Sequence, residues 1–280
     1  MYAQIIDEIS KAAEQAIITQ PDDFKGADGL LMCGKCRTPK ECEIEIKELN
    51  IKSVVRCLCK CEKEKDERER AAFQAMQKQI EINKLRSVGI QDKKLIAYTF
   101  ENDDGSNPKI SDLARRYVDK FAEMKANNCG LLLHGDTGTG KSFFAGCIGN
   151  ALIDKGVSVL ATSVTRLINQ LFDAENKNAL LRDICSYDLL IIDDIGAERE
   201  TSYTVEQVFT VIDERYKSNK PVIFTTNTDP QQFANAEDIQ RKRIFDRILE
   251  MCTPVKVEGQ RRKEAGRAKA KKLTEILYGA

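Results

Sequence analysis

Apolar positions follow three rhythms along this 280-residue chain. Over roughly residues 1–25, Ile5, Ile6, Ile9, Ala12, Ala13 and Ala16 recur at helical spacing, which predicts a short helix ending before Pro21. From Glu62 to Ser87 the chain is densely charged, with Phe73, Met76, Ile80 and Leu85 along one side. That stretch reads as a connecting helix, a solvated spacer before it is a partner-binding surface. The turn-rich run from Tyr98 to Pro108 marks the entrance to a second domain. From Gly130 onward, four aliphatic runs, GLLLH, VSVLATS, YDLLIID and KPVIFTTN, alternate with longer segments of helical period. Unbroken aliphatic strands are buried on both faces, so the alternation predicts an α/β domain: a parallel sheet between two layers of helices.

Composition narrows the function classes. The length suits one large domain and a smaller appendage. Lys plus Arg and Asp plus Glu number 44 each, so no global positive field holds the chain to nucleic acid or an anionic membrane, and any DNA contact is local. No apolar run approaches the roughly 20 residues of a membrane span, and the opening MYAQIIDEISKAAEQ lacks the basic-then-apolar pattern of a signal peptide. A cytoplasmic protein without membrane contact is the expectation. Of ten cysteines, six lie between Cys33 and Cys61; the others, Cys129, Cys147, Cys185 and Cys252, read as small core fillers. In a cytosolic chain such a cluster favours metal over disulfides.

The chemistry concentrates in the α/β half. Gly135, Asp136, Thr137, Gly138, Thr139, Gly140, Lys141 and Ser142 complete the phosphate-loop pattern, preceded by a strand and followed from Phe143 by FFAGCIGNALID, which reads as an amphipathic helix. The glycines let consecutive amide N–H groups and the helix N-terminus face phosphate charge; Lys141 would neutralise the β- and γ-phosphates of ATP, and Ser142 would ligate Mg2+. In YDLLIIDDIG the strand ends in two adjacent carboxylates, whose mutual repulsion calls for a cation. Asp193 would hold the Mg2+, and Asp194 would polarise the attacking water. Asn227, ending the next strand, can orient water against the γ-phosphate. His134, the one histidine, reads as a packing residue.

The set GDTGTGKS, LLIIDDIG, IFTTN and RIFDRI, in this order and spacing, resembles the DnaC/DnaI/IstB group of AAA+ ATPases over roughly residues 85–270. The resemblance implies a P-loop three-layer αβα domain with a parallel five-stranded sheet, Asn227 in the sensor position, and self-association through the ATPase domain. It also implies an arginine finger offered in trans to a neighbour's nucleotide, carried here by Arg247 with Arg243 as alternative. A second sensor arginine falls on Arg262 or Arg261, although this chain lacks the serine that similar proteins carry just before the pair. The partners implied are a hexameric replicative DNA helicase and single-stranded DNA; the activity is ATP hydrolysis coupled to helicase loading in DNA replication. An IstB-like transposition helper and a nucleotide-gated adaptor with little turnover are the rivals.

For the cysteines, Cys33-x-x-Cys36 has the spacing that grips one tetrahedral ion from a tight turn, and a second pair comes from the run Cys57, Cys59, Cys61. The loader-like pattern of C-x-x-C followed by C-x-C points to Cys59 and Cys61 as partners in a structural Zn2+ site, leaving Cys42 and Cys57 spare; a redox role or an iron–sulfur cluster is the alternative. Residues 1–65 are then expected to form a helicase-docking region with the zinc module, residues 66–95 a linker helix, and residues 96–280 the ATPase domain with a short C-terminal lid. Within that domain, Leu167, Ile168, Leu171 and Phe172 have helical spacing with Arg166, Lys177 and Arg182 nearby; in similar proteins this region can face DNA, though amphipathic packing also explains it.

Overall fold

A computed structural model describes residues 20–46, 51–196, 201–231, 239–259 and 261–279. The helix expected at the start, with its Ile5–Ala16 stripe, lies outside the described residues. The chain divides into two compact units, Met1–Lys78 and Gln79–Ala280, each taken by itself below.

In the first unit, β1 (Phe24–Lys25) pairs antiparallel with β2 (Leu31–Met32), and β3 (Glu41–Ile46) pairs antiparallel with β4 (Ile51–Arg56). The buried residues described here are few: Leu31, Cys33, Lys40 and Cys59. So small a core cannot by itself offset the conformational entropy of ordering the segment. Helix α1 (Lys60–Gly89) begins in this unit and ends in the second. Along it the predicted apolar stripe divides: Phe73, Met76 and Ile80 stay exposed, whereas Leu85 packs against the second unit's core, to which Ile82, outside that stripe, also belongs. Ion pairs at helical spacing, Lys60–Glu64, Lys65–Glu69 and Arg70–Asp66, support its solvated turns.

The second unit begins upstream of the turn-rich run, because Ile82, Ile90 and Leu95 already contribute to its core. Short helix α2 (Lys93–Ile96) leads to α3 (Pro108–Asp119) and α4 (Phe121–Ala126). Alternation follows: β5 (Gly130–His134), α5 (Lys141–Asp154), β6 (Val159–Ser163), α6 (Val164–Asp173), α7 (Lys177–Ser186), β7 (Leu189–Asp193), α8 (Ser202–Lys217), β8 (Val222–Thr226), α9 (Ile239–Met251), β9 (Cys252–Lys256) and α10 (Arg261–Tyr278). The strands form one parallel sheet in the order β6-β7-β8-β5-β9, with a hydrophobic cluster on each face. Four strands match the aliphatic runs; the fifth, β9, has no such signature, because an edge strand needs fewer apolar residues and tolerates Pro254. Helix α5 is not the amphipathic helix its sequence suggests. It is buried on nearly every side, between the sheet and the layer of α2 and α3. Among the described residues no helix is long and apolar enough to cross a membrane.

One polar side chain braces the end of the sheet opposite the phosphate loop. Arg215, in α8, is fully buried, and its guanidinium donates to the carbonyls of Cys185 (3.0 Å), Tyr187 (2.8 Å), Asp188 (3.3 Å) and Pro221 (2.5 Å). Those carbonyls lie where the chain enters β7 and β8. Burial draws the pKa of Arg215 down to about 10, which leaves it charged at neutral pH. Replacing it with Met roughly keeps the volume but removes the donor from all four carbonyls, of which Pro221 keeps a 3.4 Å bond from Leu190 N, so Arg215→Met should lower the unfolding free energy by about 3 kcal/mol or more. Urea unfolding followed by circular dichroism checks this; a midpoint within error of the parent would refute the bracing role.

Candidate nucleotide site and cysteine centre

The phosphate loop leaves β5 at His134 and enters α5 at Lys141. At Gly135 a side chain would meet the Val257 carbonyl at 2.4 Å, and Gly140, the residue before the helix, has φ +107°, so both positions require glycine. The loop is held by Thr139 Oγ1 donating to the Asp136 carbonyl at 3.0 Å. Asp136 and Thr137 are exposed at its crest, and Gly138 also has a positive φ. Ser142 lies half-buried in the first turn of α5, where free N–H groups face the loop. The Phe143 side chain packs against Tyr98 and Phe144, with ring centroids 5.4 and 5.3 Å away, so only its backbone can serve a phosphate.

Lys141 ties the loop to the two neighbouring strand ends. Its ammonium donates to the carbonyls of Gly135 (2.9 Å) and Asp136 (2.7 Å) and to Asn227 Oδ1 (2.9 Å). The Asn227 amide in turn donates to Asp194 Oδ1 at 2.9 Å. Burial lowers the pKa of Lys141, while burial and then the Asp193 charge raise that of Asp194. Asp193 sits at the end of β7 and accepts a 2.6 Å hydrogen bond from Thr225. Oxygen donors at Ser142 and Asp193 beside a phosphate-binding loop suit Mg2+ chemically. Burial draws the His134 imidazole below its ordinary value, so it is neutral at neutral pH and supplies no charge.

Lys141, Asp136, Asn227 and Asp194 are thus brought together, with Asp193 alongside. Arg247 is not among them: in α9 it lies over the Tyr216 ring at 4.1 Å and beside Asp213 and Glu250, at 3.4 and 3.6 Å. Arg243 is on the same helix, one turn earlier. Arg261 and Arg262 open α10, and their side chains fall outside the described residues.

In the first unit the sulfurs of Cys33, Cys36, Cys59 and Cys61 all lie within 4.8 Å of one another. A Zn–S bond of about 2.3 Å sets tetrahedral sulfurs about 3.8 Å apart, so these four fit a single ion. Cys42 and Cys57 are outside the cluster; Cys57 approaches the Pro39 carbonyl at 3.6 Å. A polar second layer, absent from the sequence reading, orients the cluster. Asp23 accepts from Gly34 N (3.1 Å) within the first pair, and Glu62 accepts from Cys59 N (3.1 Å) at the second. Buried Lys40 lies between them, 2.6 Å from Asp23 and 4.0 Å from Glu62. Lys40 holds Asp23 down at about 2. Thr38 accepts from Lys60 N (2.9 Å) and sits 3.1 Å from Cys36 Sγ, drawing that thiol down to about 5, whereas burial pushes Cys59 up to about 12. Thiols of such different acidity ionise together when a cation sits among them. No spacing rule marks Asp23, Thr38, Lys40 or Glu62; folding alone brings them to the cysteines.

Fold and loop together define a P-loop ATP-binding protein of the AAA+ type. The family model described as IstB-like ATP binding protein matches residues 45–271, and the chain belongs to that family. Among curated relatives, the replicative helicase loader DnaI of Bacillus subtilis (strain 168) is 25% identical over 246 residues, covering 82% of this chain and 78% of that protein. The replicative helicase loader DnaC of Escherichia coli (strain K12) is 30% identical over 140 residues, 48% of this chain and 55% of its own length, so the match spans about half of that protein. A crystal structure of DnaI aligns with TM-score 0.53 and 26% identity over 64% of this chain and 99% of that one. A crystal structure of the DnaC helicase loader aligns with TM-score 0.52 and 22% identity over 60% and 100%, a likeness of fold.

The Asp23–Lys40–Glu62 network carries a consequence for the cysteine centre. Lys40→Met leaves Asp23 without its cation, while Glu62 keeps Arg56 at 3.4 Å, and loss of such outer partners costs about 10–100-fold in metal affinity. With the full chain loaded with Zn2+, transfer of zinc to a chromogenic chelator should proceed at least tenfold faster in Lys40→Met; an unchanged rate would rule out the support role.

Proposed function

We propose that this protein loads a ring-shaped replicative DNA helicase onto single-stranded DNA and couples that act to ATP binding and hydrolysis. The observation that carries the ATP step is the hydrogen-bonded series Lys141–Asn227–Asp194, which joins the phosphate loop to the acidic strand end through the sensor position. When a nucleotide enters, Lys141 exchanges carbonyl partners for phosphate oxygens, and Asn227 is free to hold water beside Asp194. The raised pKa of Asp194 suits it to draw a proton from that water. Ser142 and Asp193 would hold Mg2+, which supplies neutralisation of phosphate charge. Arg247, resting on Tyr216 and Asp213, is the residue offered to a neighbouring copy's nucleotide.

Support for the loader assignment comes from the two relatives named as replicative helicase loaders and from the cysteine module, which we assign as a closed zinc site that docks the helicase. For DNA, the surface of α6, α7 and α8 supplies an aromatic and cationic cluster. Phe172 is 70% exposed and meets Tyr203 edge-on at 5.9 Å, and Lys177 lies 5.3 Å from the Tyr203 ring centre. Of the rest of the α6 stripe, Leu167 and Leu171 are buried and Ile168 packs partly buried against them, so Phe172 is left over from packing and available to stack on a base.

Two expectations follow. Lys141→Ala should abolish Mg2+-dependent ATP binding by calorimetry, whereas Asp194→Asn should keep binding and lose at least a hundredfold in DNA-stimulated hydrolysis; equal, near-zero turnover in the parent and Asp194→Asn would favour the nucleotide-gated adaptor. Phe172→Ala should weaken binding to a fluorescent single-stranded oligonucleotide by about tenfold, since each stacked base is worth about 1–3 kcal/mol. Preference for duplex DNA, unaffected by Phe172→Ala, would support the transposition-helper alternative.

A further inference from the structure

Backbone pairing between β7 and β8 stops short of the acidic residues. The register runs Leu190 to Val222, Ile191 to Ile223 and Ile192 to Phe224, and there it ends. Beyond the last pair a side chain takes over. Thr225 Oγ1 donates to Asp193 Oδ1 at 2.6 Å and accepts from Asp194 N at 2.8 Å, while the Thr225 carbonyl accepts from Ile195 N at 2.8 Å. One threonine therefore holds three consecutive residues of the acidic turn. A hydroxyl has a single proton, and its donation to the carboxylate is fixed because Asp194 N–H claims it as acceptor.

The turn needs this restraint. Asp194 has φ +62°, a left-handed conformation that a side chain other than glycine adopts at a cost. Thr226 adds a second tie: its hydroxyl donates to the Ile195 carbonyl at 2.8 Å and accepts from Thr228 N at 3.2 Å. Asn227, two residues past Thr225, bridges Lys141 and Asp194. The end of β8 thus grips both aspartates, Asp193 through a hydroxyl and Asp194 through an amide. Thr225 is 1% exposed, out of reach of any ligand.

We propose that Thr225 is a positioning residue for the metal step: its hydroxyl sets the rotamer of the Asp193 carboxylate and the turn that follows, so that the oxygen left free would be available to Mg2+ in one fixed direction. This assignment rests on the nucleotide reading above. A carboxylate with one oxygen committed to Thr225 presents the other in a fixed direction, whereas an unpinned Asp193 would share its rotamers with solvent.

The test is ATP affinity of the full chain, measured with a fluorescent ATP analogue across a Mg2+ titration and in EDTA. Thr225→Val removes the hydroxyl with little change of shape. It is expected to raise the Mg2+ concentration at half-maximal tight binding by about tenfold. Affinity in EDTA should be unchanged, because Lys141 and the loop are untouched, and Thr225→Ser should restore the Mg2+ midpoint to within about twofold. Should Thr225→Val fail to fold, Thr225→Ala removes the same hydroxyl and is expected to give the same shift. An unchanged midpoint, or equal weakening with and without Mg2+, would overturn the assignment and leave the nucleotide reading standing. Parent protein binding ATP identically in Mg2+ and EDTA would overturn both.

Discussion

An ammonium, a primary amide and a carboxylate in series, Lys141, Asn227 and Asp194, are the contacts on which the second unit's chemistry depends. Each belongs to a different element, the first turn of α5, the end of β8 and the turn after β7. The series therefore exists only when β5, β7 and β8 are correctly ordered in the sheet. Its two charged members favour one another, and burial opposes both. Burial weakens the Lys141 cation and disfavours the Asp194 anion, and the neutral amide between them lets both stay in place without direct ion pairing. A site balanced in this way can exchange partners at little cost when phosphate charge arrives.

The two units solve the problem of small and large cores differently. In the second, two apolar clusters sandwich the sheet, and the largest buried polar group, Arg215, spends both terminal nitrogens on four carbonyls. The first has little apolar area to bury, and its interior is occupied by thiols and a buried lysine. Its order depends on charge balance among Asp23, Lys40 and Glu62 and on the four convergent sulfurs.

Legibility in the sequence tracked how local each feature is. The phosphate loop, the double aspartate and Asn227 were readable because backbone wrapping and charge pairing demand particular residues at fixed spacing. The four aliphatic strands were readable because burial on both faces leaves an unbroken apolar run. Strand β9 was not, since an edge position relaxes that demand, and the burial of α5 was hidden because its neighbours α2 and α3 lie far upstream. Phe73, Met76, Ile80 and Leu85 looked like one stripe, yet Leu85 packs while the other three stay exposed, and the buried residue of that region, Ile82, lay outside it. Spacing identifies a face and not what covers it. The supporting residues, Thr225, Asp23, Lys40 and Glu62, carry no local signature because the side chains they pair with are 17 to 32 residues away.

A formal charge of zero over 280 residues does not conflict with binding a polyanion, because the relevant charge is local. At the phosphate loop a single buried ammonium meets glycine-rich backbone and a helix N-terminus, so attraction for phosphate comes from oriented N–H dipoles as much as from net charge. At the proposed DNA contact around Phe172 and Tyr203 the same logic would apply in another form: Lys177 would supply one charge, and the exposed ring a stacking surface indifferent to base identity. On the proposed reading, oriented backbone would serve the nucleotide, and an exposed ring with one nearby cation would serve the single strand.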